Sequence, residues 1–158
     1  MDPNQKVIYS LIEGFGKRTP REEKPVGFLT NALGIQVKEV ISLVGAGGKT
    51  TLMFRLAKEL VLSGKKIVTT TTTKIFEPTV EETNFLFIDP DEGKIKDFVR
   101  HHLDQYHHIT VAQGRIESRK LKGISPNLVK ELWSLHCMDT IMVEADGAAG
   151  RTIKAPRE

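Results

Sequence analysis

Apolar residues along the chain follow two rhythms: short β-branched runs, and longer stripes at helical spacing. Val40, Ile41, Leu43 and Val44 form a strand-like run, and Leu52, Met53, Leu56, Ala57, Leu60 and Val61 then recur at the spacing of one helix face. That helix is expected to stop at Ser63-Gly64. Residues 65–76 join Ile67-Val68, five consecutive threonines and Lys74-Ile75-Phe76. Threonine is β-branched and favours strands, so the threonine run reads as a strand that tolerates hydroxyls, with Thr73 and Lys74 at its end. Residues 84–88 give a short strand closed by Asp89-Pro90, 91–106 a helix with Ile95, Phe98, Val99, His102 and Leu103 on one face, and 107–112 another strand. Residues 114–121 are polar and hold Arg115, Arg119 and Lys120. Ser125-Pro126 forms an N-cap and first-turn pair for a helix to about Leu135, with Val129, Leu132 and Trp133 inward. Residues 139–147 begin as an apolar strand and end in acids.

The N-terminal part is less regular. Asp2-Pro3-Asn4-Gln5 has the form of a helix start, followed by a stripe of Val7, Ile8, Leu11 and Ile12 that Gly14 and Gly16 end. Residues 17–24 are charged, contain Pro20 and read as a linker, and 27–34 as a short helix closed by Gly34. The expected organisation is thus an N-terminal helix and linker over 1–24 and one α/β domain over 25–158.

Between the first strong strand and its helix lies Gly45-Ala46-Gly47-Gly48-Lys49-Thr50-Thr51. Glycines let the backbone turn sharply and approach a ligand, since no Cβ intervenes. Successive amides in such a turn form an anion nest, and the helix that opens next adds unpaired N–H groups and the positive end of its dipole. Lys49 supplies a charge for β/γ-phosphate oxygens and Thr50 a hydroxyl for Mg²⁺. The stretch reads as a phosphate-binding loop for a nucleoside triphosphate, ATP or GTP, with 45–51 as its binding residues. The spacing is shorter than G-x-x-x-x-G-K-[ST], because Leu43 stands where the first glycine would be. Short loops of this form resemble those of Mur-type ATP-dependent ligases. A dinucleotide G-x-G-x-x-G reading fails at Thr50. The implied fold is α/β, a mostly parallel sheet flanked by helices in a three-layer sandwich like that of P-loop NTPases.

Two further stretches carry candidate chemistry. Ligands of parallel α/β sheets bind beyond the carboxyl ends of the strands, where Thr73 and Lys74 are expected to emerge, next to the glycine loop if the strands are neighbours. Thr73 would add a metal-side hydroxyl and Lys74 a catalytic ammonium. The acid-ended strand Ile141-Met142-Val143-Glu144-Ala145-Asp146 resembles a Walker B arrangement, in which Asp146 would hold Mg²⁺ and Glu144 would orient the nucleophile. Arg151, in the small-residue turn that follows, is a candidate phosphate contact. The histidines are an unconvincing metal site, because His101-His102 and His107-His108 are adjacent pairs whose members point apart.

The bulk numbers narrow the classes. With 158 residues, 39% hydrophobic and 27% charged, the chain suits one globular domain. Its formal charge of +3 comes from interleaved residues of both signs, without the basic stripe that nucleic-acid binding needs. No apolar run approaches the length of a membrane span, no secretory signal opens the chain, and Cys137 is the single cysteine; a cytoplasmic protein is expected.

Three pieces stand together: Val44–Thr51 (VGAGGKTT), Val68–Phe76 (VTTTTTKIF) and Val143–Pro156 (VEADGAAGRTIKAP), with Lys120-Leu121-Lys122-Gly123 between the last two. As a set they resemble the YqeC family, described as accessory proteins of selenium-dependent molybdenum hydroxylases. The resemblance covers roughly residue 28 to the end. It implies a P-loop-type fold and a role in maturing such a hydroxylase, with the enzyme or its cofactor as partner. It adds weight to Gly45, Gly47, Gly48, Lys49, Thr50, Thr73, Lys74, Glu144 and Asp146. Family members typically continue for tens of residues beyond the third piece, so a shortened C-terminus is expected. The leading expectation is a Mg²⁺-dependent nucleotide-binding enzyme, an NTPase or phosphotransferase. The rivals are a nucleotide-gated chaperone with little turnover, a Mur-like ligase and an inactive α/β domain.

Overall fold

Parallel strands need long crossovers, and the alternation of apolar runs with helical stripes supplies them. The structure, a computed structural model, describes residues 5–9, 27–36, 38–117 and 119–145, the first five by their backbone. In chain order the elements are β1 (Gln5–Tyr9), α1 (Phe28–Ala32), β2 (Glu39–Val44), α2 (Lys49–Leu62), β3 (Ile67–Thr71), β4 (Lys74–Phe76), β5 (Phe85–Ile88), α3 (Glu92–Tyr106), β6 (His108–Ala112), β7 (Gly114–Ile116), β8 (Lys120–Lys122), α4 (Pro126–Trp133) and β9 (Thr140–Glu144). Six strands form one parallel sheet in the order β1-β2-β9-β3-β6-β5. The remaining three form a separate antiparallel sheet, β4-β8-β7.

Alternation along the central strands builds a core on each face of the main sheet. Ile41 and Leu43 of β2, Ile67 of β3 and Met142 of β9 pack with Met53, Leu56, Ala57 and Leu60 of α2, and Leu29 and Leu33 abut this cluster. Val68, Ile109, Val111, Ile141 and Val143 turn the other way, onto Ile95, Val99 and Leu103 of α3 and Leu128 and Leu132 of α4. Burying each such side chain contributes roughly 1.5–3 kcal/mol before entropy is charged against it. The expected mostly parallel α/β sheet with flanking helices is therefore present. The capping expectations also hold: the Ser125 hydroxyl accepts from the Leu128 amide at 3.0 Å, and Gly64 follows α2 with φ of 77°. The structure adds an N-cap for α3, Asp91, whose side chain accepts from the Gly93 and Lys94 amides.

Three expectations need correction. Residues 5–9, read as part of an N-terminal helix, form strand β1 against the outer edge of β2. Val7, Ile8 and Tyr9 are good strand formers, and the open β2 edge offers ladder bonds that an isolated short helix would lack. The linker reading of 17–24 lies outside the described residues.

Residues 65–76 are not one strand. β3 ends at Thr71, and the Thr73 amide donates to Thr71 Oγ1 at 3.0 Å. This local side-chain bond competes with the ladder and turns the chain into β4. The threonines before the turn are more than tolerated: Thr69, Thr70 and Thr71 are buried, and each hydroxyl is hydrogen-bonded.

Finally, the placing of Thr73 and Lys74 next to the glycine loop depends on adjacent strands, and that condition is not met, because β9 lies between β2 and β3. Glu144, the last residue of β9, is consequently in register with Leu43 on one side and Thr71 on the other.

Candidate functional site

The turn after β2 is shaped by two glycines in the left-handed region, Gly45 with φ of 109° and Gly48 with φ of 82°. A side chain at either position would be strained. Gly47 lies between them, exposed, with open space where a Cβ would project. Gly48 is the N-cap of α2 and has no side chain with which to cap it. Among the described residues the amides of Gly47 and Gly48 have no hydrogen-bond acceptor. The loop thus presents unpaired donors at the positive end of a 14-residue helix, the arrangement that favours an anion.

The first helical residues join this loop to the sheet. The Lys49 ammonium donates to the Gly45 carbonyl at 2.7 Å and stands 3.9 Å from Glu144 Oε1. Both side chains are buried, with Lys49 3% and Glu144 6% exposed. The Thr50 hydroxyl donates to Glu144 Oε2 at 2.6 Å. One carboxylate therefore meets the lysine and the threonine of the loop together. Burial makes this expensive to disturb: removing one partner of a buried ion pair typically costs about 3–5 kcal/mol. Thr51, on the same turn, is exposed, and Ala46 is half-buried.

The backbone of Glu144 is tied to the end of β3. Its carbonyl accepts from Thr71 Oγ1 at 2.9 Å and from the Thr72 amide at 3.1 Å. Thr71 gives its proton to that carbonyl, so the Thr73 hydroxyl, 3.1 Å away, is left to donate to Thr71 Oγ1. Thr73 thus stands one threonine removed from Glu144. Lys74 is exposed and opens β4, where it pairs with Lys122 in the second sheet. Asp146 and Arg151 lie outside the described residues.

The structure gathers Gly45, Lys49, Thr50 and Glu144 at one place, and brings Thr73 to its margin. Two contributors were missed in the sequence. Thr71 is hidden in a run of five identical residues, none of which stands out by itself. Gly123 carries a readable signal, a lone glycine after a short strand, which marks a close backbone approach. A Cβ there would meet the Thr71 carbonyl oxygen at 2.3 Å. The histidine pairs go elsewhere: His101 and His102 bond carbonyls of their own helix, and His108 is buried beside Thr69.

Among the described residues no helix is long and apolar enough to cross a membrane. No solved structure matches the chain. The protein named "Uncharacterized protein YqeC" from Escherichia coli (strain K12) is 36% identical over 127 residues, 80% of this chain and 48% of that protein. The chain spans about half the length of that relative. The model of the YqeC protein family matches residues 41–158, which take in the glycine loop, both lysines of β8, Gly123 and the acid-ended strand. With the motifs, the family match and the relative in agreement, the chain belongs to the YqeC family.

Proposed function

We propose that the chain binds a nucleoside triphosphate, ATP or GTP, with Mg²⁺, and uses it for hydrolysis or phosphoryl transfer. The observation that carries this reading is the 2.6 Å bond between Thr50 and Glu144 at the mouth of a glycine loop with unpaired amides. A hydroxyl and a carboxylate are the hard oxygen donors that Mg²⁺ takes. The two oxygens lie close enough together to serve one ion jointly. Thr50 and Glu144 would hold the metal, which would screen the charge of the phosphates. This contact favours Glu144 on the metal side rather than beside the nucleophile.

The chain's own groups do the positioning. The amides of Gly47 and Gly48 receive phosphate oxygens. Lys49 exchanges the Gly45 carbonyl for an anionic oxygen, a stronger charge-assisted bond. The Thr71 hydroxyl and Thr72 amide fix the Glu144 backbone, so its carboxylate is aimed before the nucleotide arrives. Catalysis by such a site is mostly orientation and charge stabilisation. A role in maturing a selenium-dependent molybdenum hydroxylase, with that enzyme or its cofactor as partner, is supported by family membership alone.

The decisive experiment is calorimetry of Mg-ATP and Mg-GTP with the wild type and Lys49→Ala. A loss of at least tenfold in affinity on substitution is expected. Binding of equal strength to both proteins overturns the assignment of the loop.

A further inference from the structure

The geometry points to the small antiparallel sheet as a second binding site, for a small organic phosphate with an apolar body. Residues directly opposite in such a sheet share a face. One face carries two rows, Lys74–Lys122–Gly114 and Phe76–Lys120–Ile116, while Ile75 and Leu121 of the alternate row are buried in the core beneath α2. The first row sets two lysines opposite one another. Like charges so placed destabilise a sheet. Among the described residues no carboxylate pairs with Lys74, Lys120 or Lys122.

A cavity of about 600 Å³ is lined by Lys74, Arg115, Ile116, Glu117 and Lys120, within the size range of small-molecule sites. Arg115 is already held by Glu77 through two bonds, at 2.9 and 3.0 Å, so the uncommitted positive charge is that of the lysines, with Glu117 the one carboxylate in the lining. Gly114 closes the lysine row with no side chain, and a Cβ there would meet nothing within 4 Å. The Lys120 ammonium is 4.9 Å from the centre of the Phe76 ring, whose residue is 64% exposed. An apolar surface thus borders the charge. A phosphomonoester, close to doubly charged at neutral pH, answers Lys74 and Lys120 of the lining, with Lys122 beside them on the same face, better than a single carboxylate does.

The site is also joined to the loop. The Gly123 amide donates to the Thr73 carbonyl at 2.8 Å, and the Ile124 amide to the Thr71 carbonyl at 2.9 Å. The exit of β8 is therefore clasped to the strand end that holds Glu144. That the ligand is a second substrate rests on the nucleotide reading above; that it binds does not.

The test titrates the full, ¹⁵N-labelled chain with phenyl phosphate, and with phenol as control, following amide shifts. Shifts at 74–76 and 114–122 with phenyl phosphate only are expected. The double variant Lys120→Gln/Lys122→Gln should bind phenyl phosphate at least tenfold more weakly and Mg-ATP as the wild type does. Lys49→Ala should do the reverse. Shifts confined to the glycine loop, shifts spread over every lysine-bearing surface, or unchanged binding by the double variant would each overturn the site. Phenyl phosphate binding on the small sheet without Mg-ATP binding would uphold the site and sink the nucleotide reading alone.

Discussion

Thr50 and Glu144 stand 94 positions apart and share a hydrogen bond of 2.6 Å. The contact follows from strand order. β9 lies directly beside β2, so the last residue of one strand reaches the first turn of the helix that leaves the other. Had β3 filled that place, Thr71 would have met the loop in its stead.

If that pair is metal-side, the charge of Glu144 contributes to nucleotide affinity only when the metal is present, apart from its pairing with Lys49. Glu144→Gln keeps the shape and an acceptor for the Thr50 hydroxyl while removing the negative charge. The expected result is a loss of at least tenfold in Mg-ATP affinity, about 1.4 kcal/mol, with ATP alone in EDTA bound as well as before or better. Calorimetry in the two buffers measures both arms. An equal loss in both would remove Glu144 from the metal.

A second prediction concerns acid. His108 is 2% exposed, with Nε2 3.0 Å from the Thr69 hydroxyl and its ring facing Phe54. Burial without a carboxylate partner lowers its pKa to about 4. The unfolded chain, with a histidine near 6.5, therefore takes up a proton before the folded one does. Stability is whole above pH 6.5 and falls as the pH drops from 6.5 to about 4, by about 3 kcal/mol in total. Urea unfolding at pH 7 and pH 5 should differ by about 2 kcal/mol in the wild type and by clearly less in His108→Gln. A His108 ring signal that titrates near its ordinary value in NMR would refute this.

Much of this arrangement was legible in residue order. The glycine loop, α2, α3, α4 with Ser125-Pro126, and β5, β6 and β9 each carry a local signal that the structure follows. Such signals act within one turn of helix or one strand. What they do not contain is which strand lies beside which. That choice is made by long-range packing, and here it decides that Glu144, and not Thr73, faces Thr50. The three-residue strands β4, β7 and β8 also escaped, because Lys74-Ile75-Phe76, Gly114-Arg115-Ile116 and Lys120-Leu121-Lys122 are too short for a period to show. At the N-terminus the capping pattern of Asp2-Pro3-Asn4-Gln5 competes with the strand-forming composition of Gln5–Tyr9, and the composition prevails.

Gly123 offers the sharpest test of how the small sheet is attached. A Cβ at that position would lie 2.3 Å from the Thr71 carbonyl oxygen and 2.8 Å from the carbonyl carbons of Thr71 and Thr72. All three are backbone atoms, so no rotamer can relieve the clash, and β8 must move away from the end of β3. Gly123→Ala should cost about 1–3 kcal/mol, the usual penalty for overpacking a fitted contact. The loss should be local: hydrogen exchange should quicken at 121–124 and 71–76, where the two clasping bonds fail, before it quickens in α3 or β6. Gly114→Ala is the matched control, since its added methyl meets nothing within 4 Å, and it should stay within about 0.5 kcal/mol of the wild type. Equal denaturation midpoints for the two variants would mean that the small sheet hangs on the main one without this close approach. In that case the strand end behind Glu144 would owe its position to the parallel ladder alone.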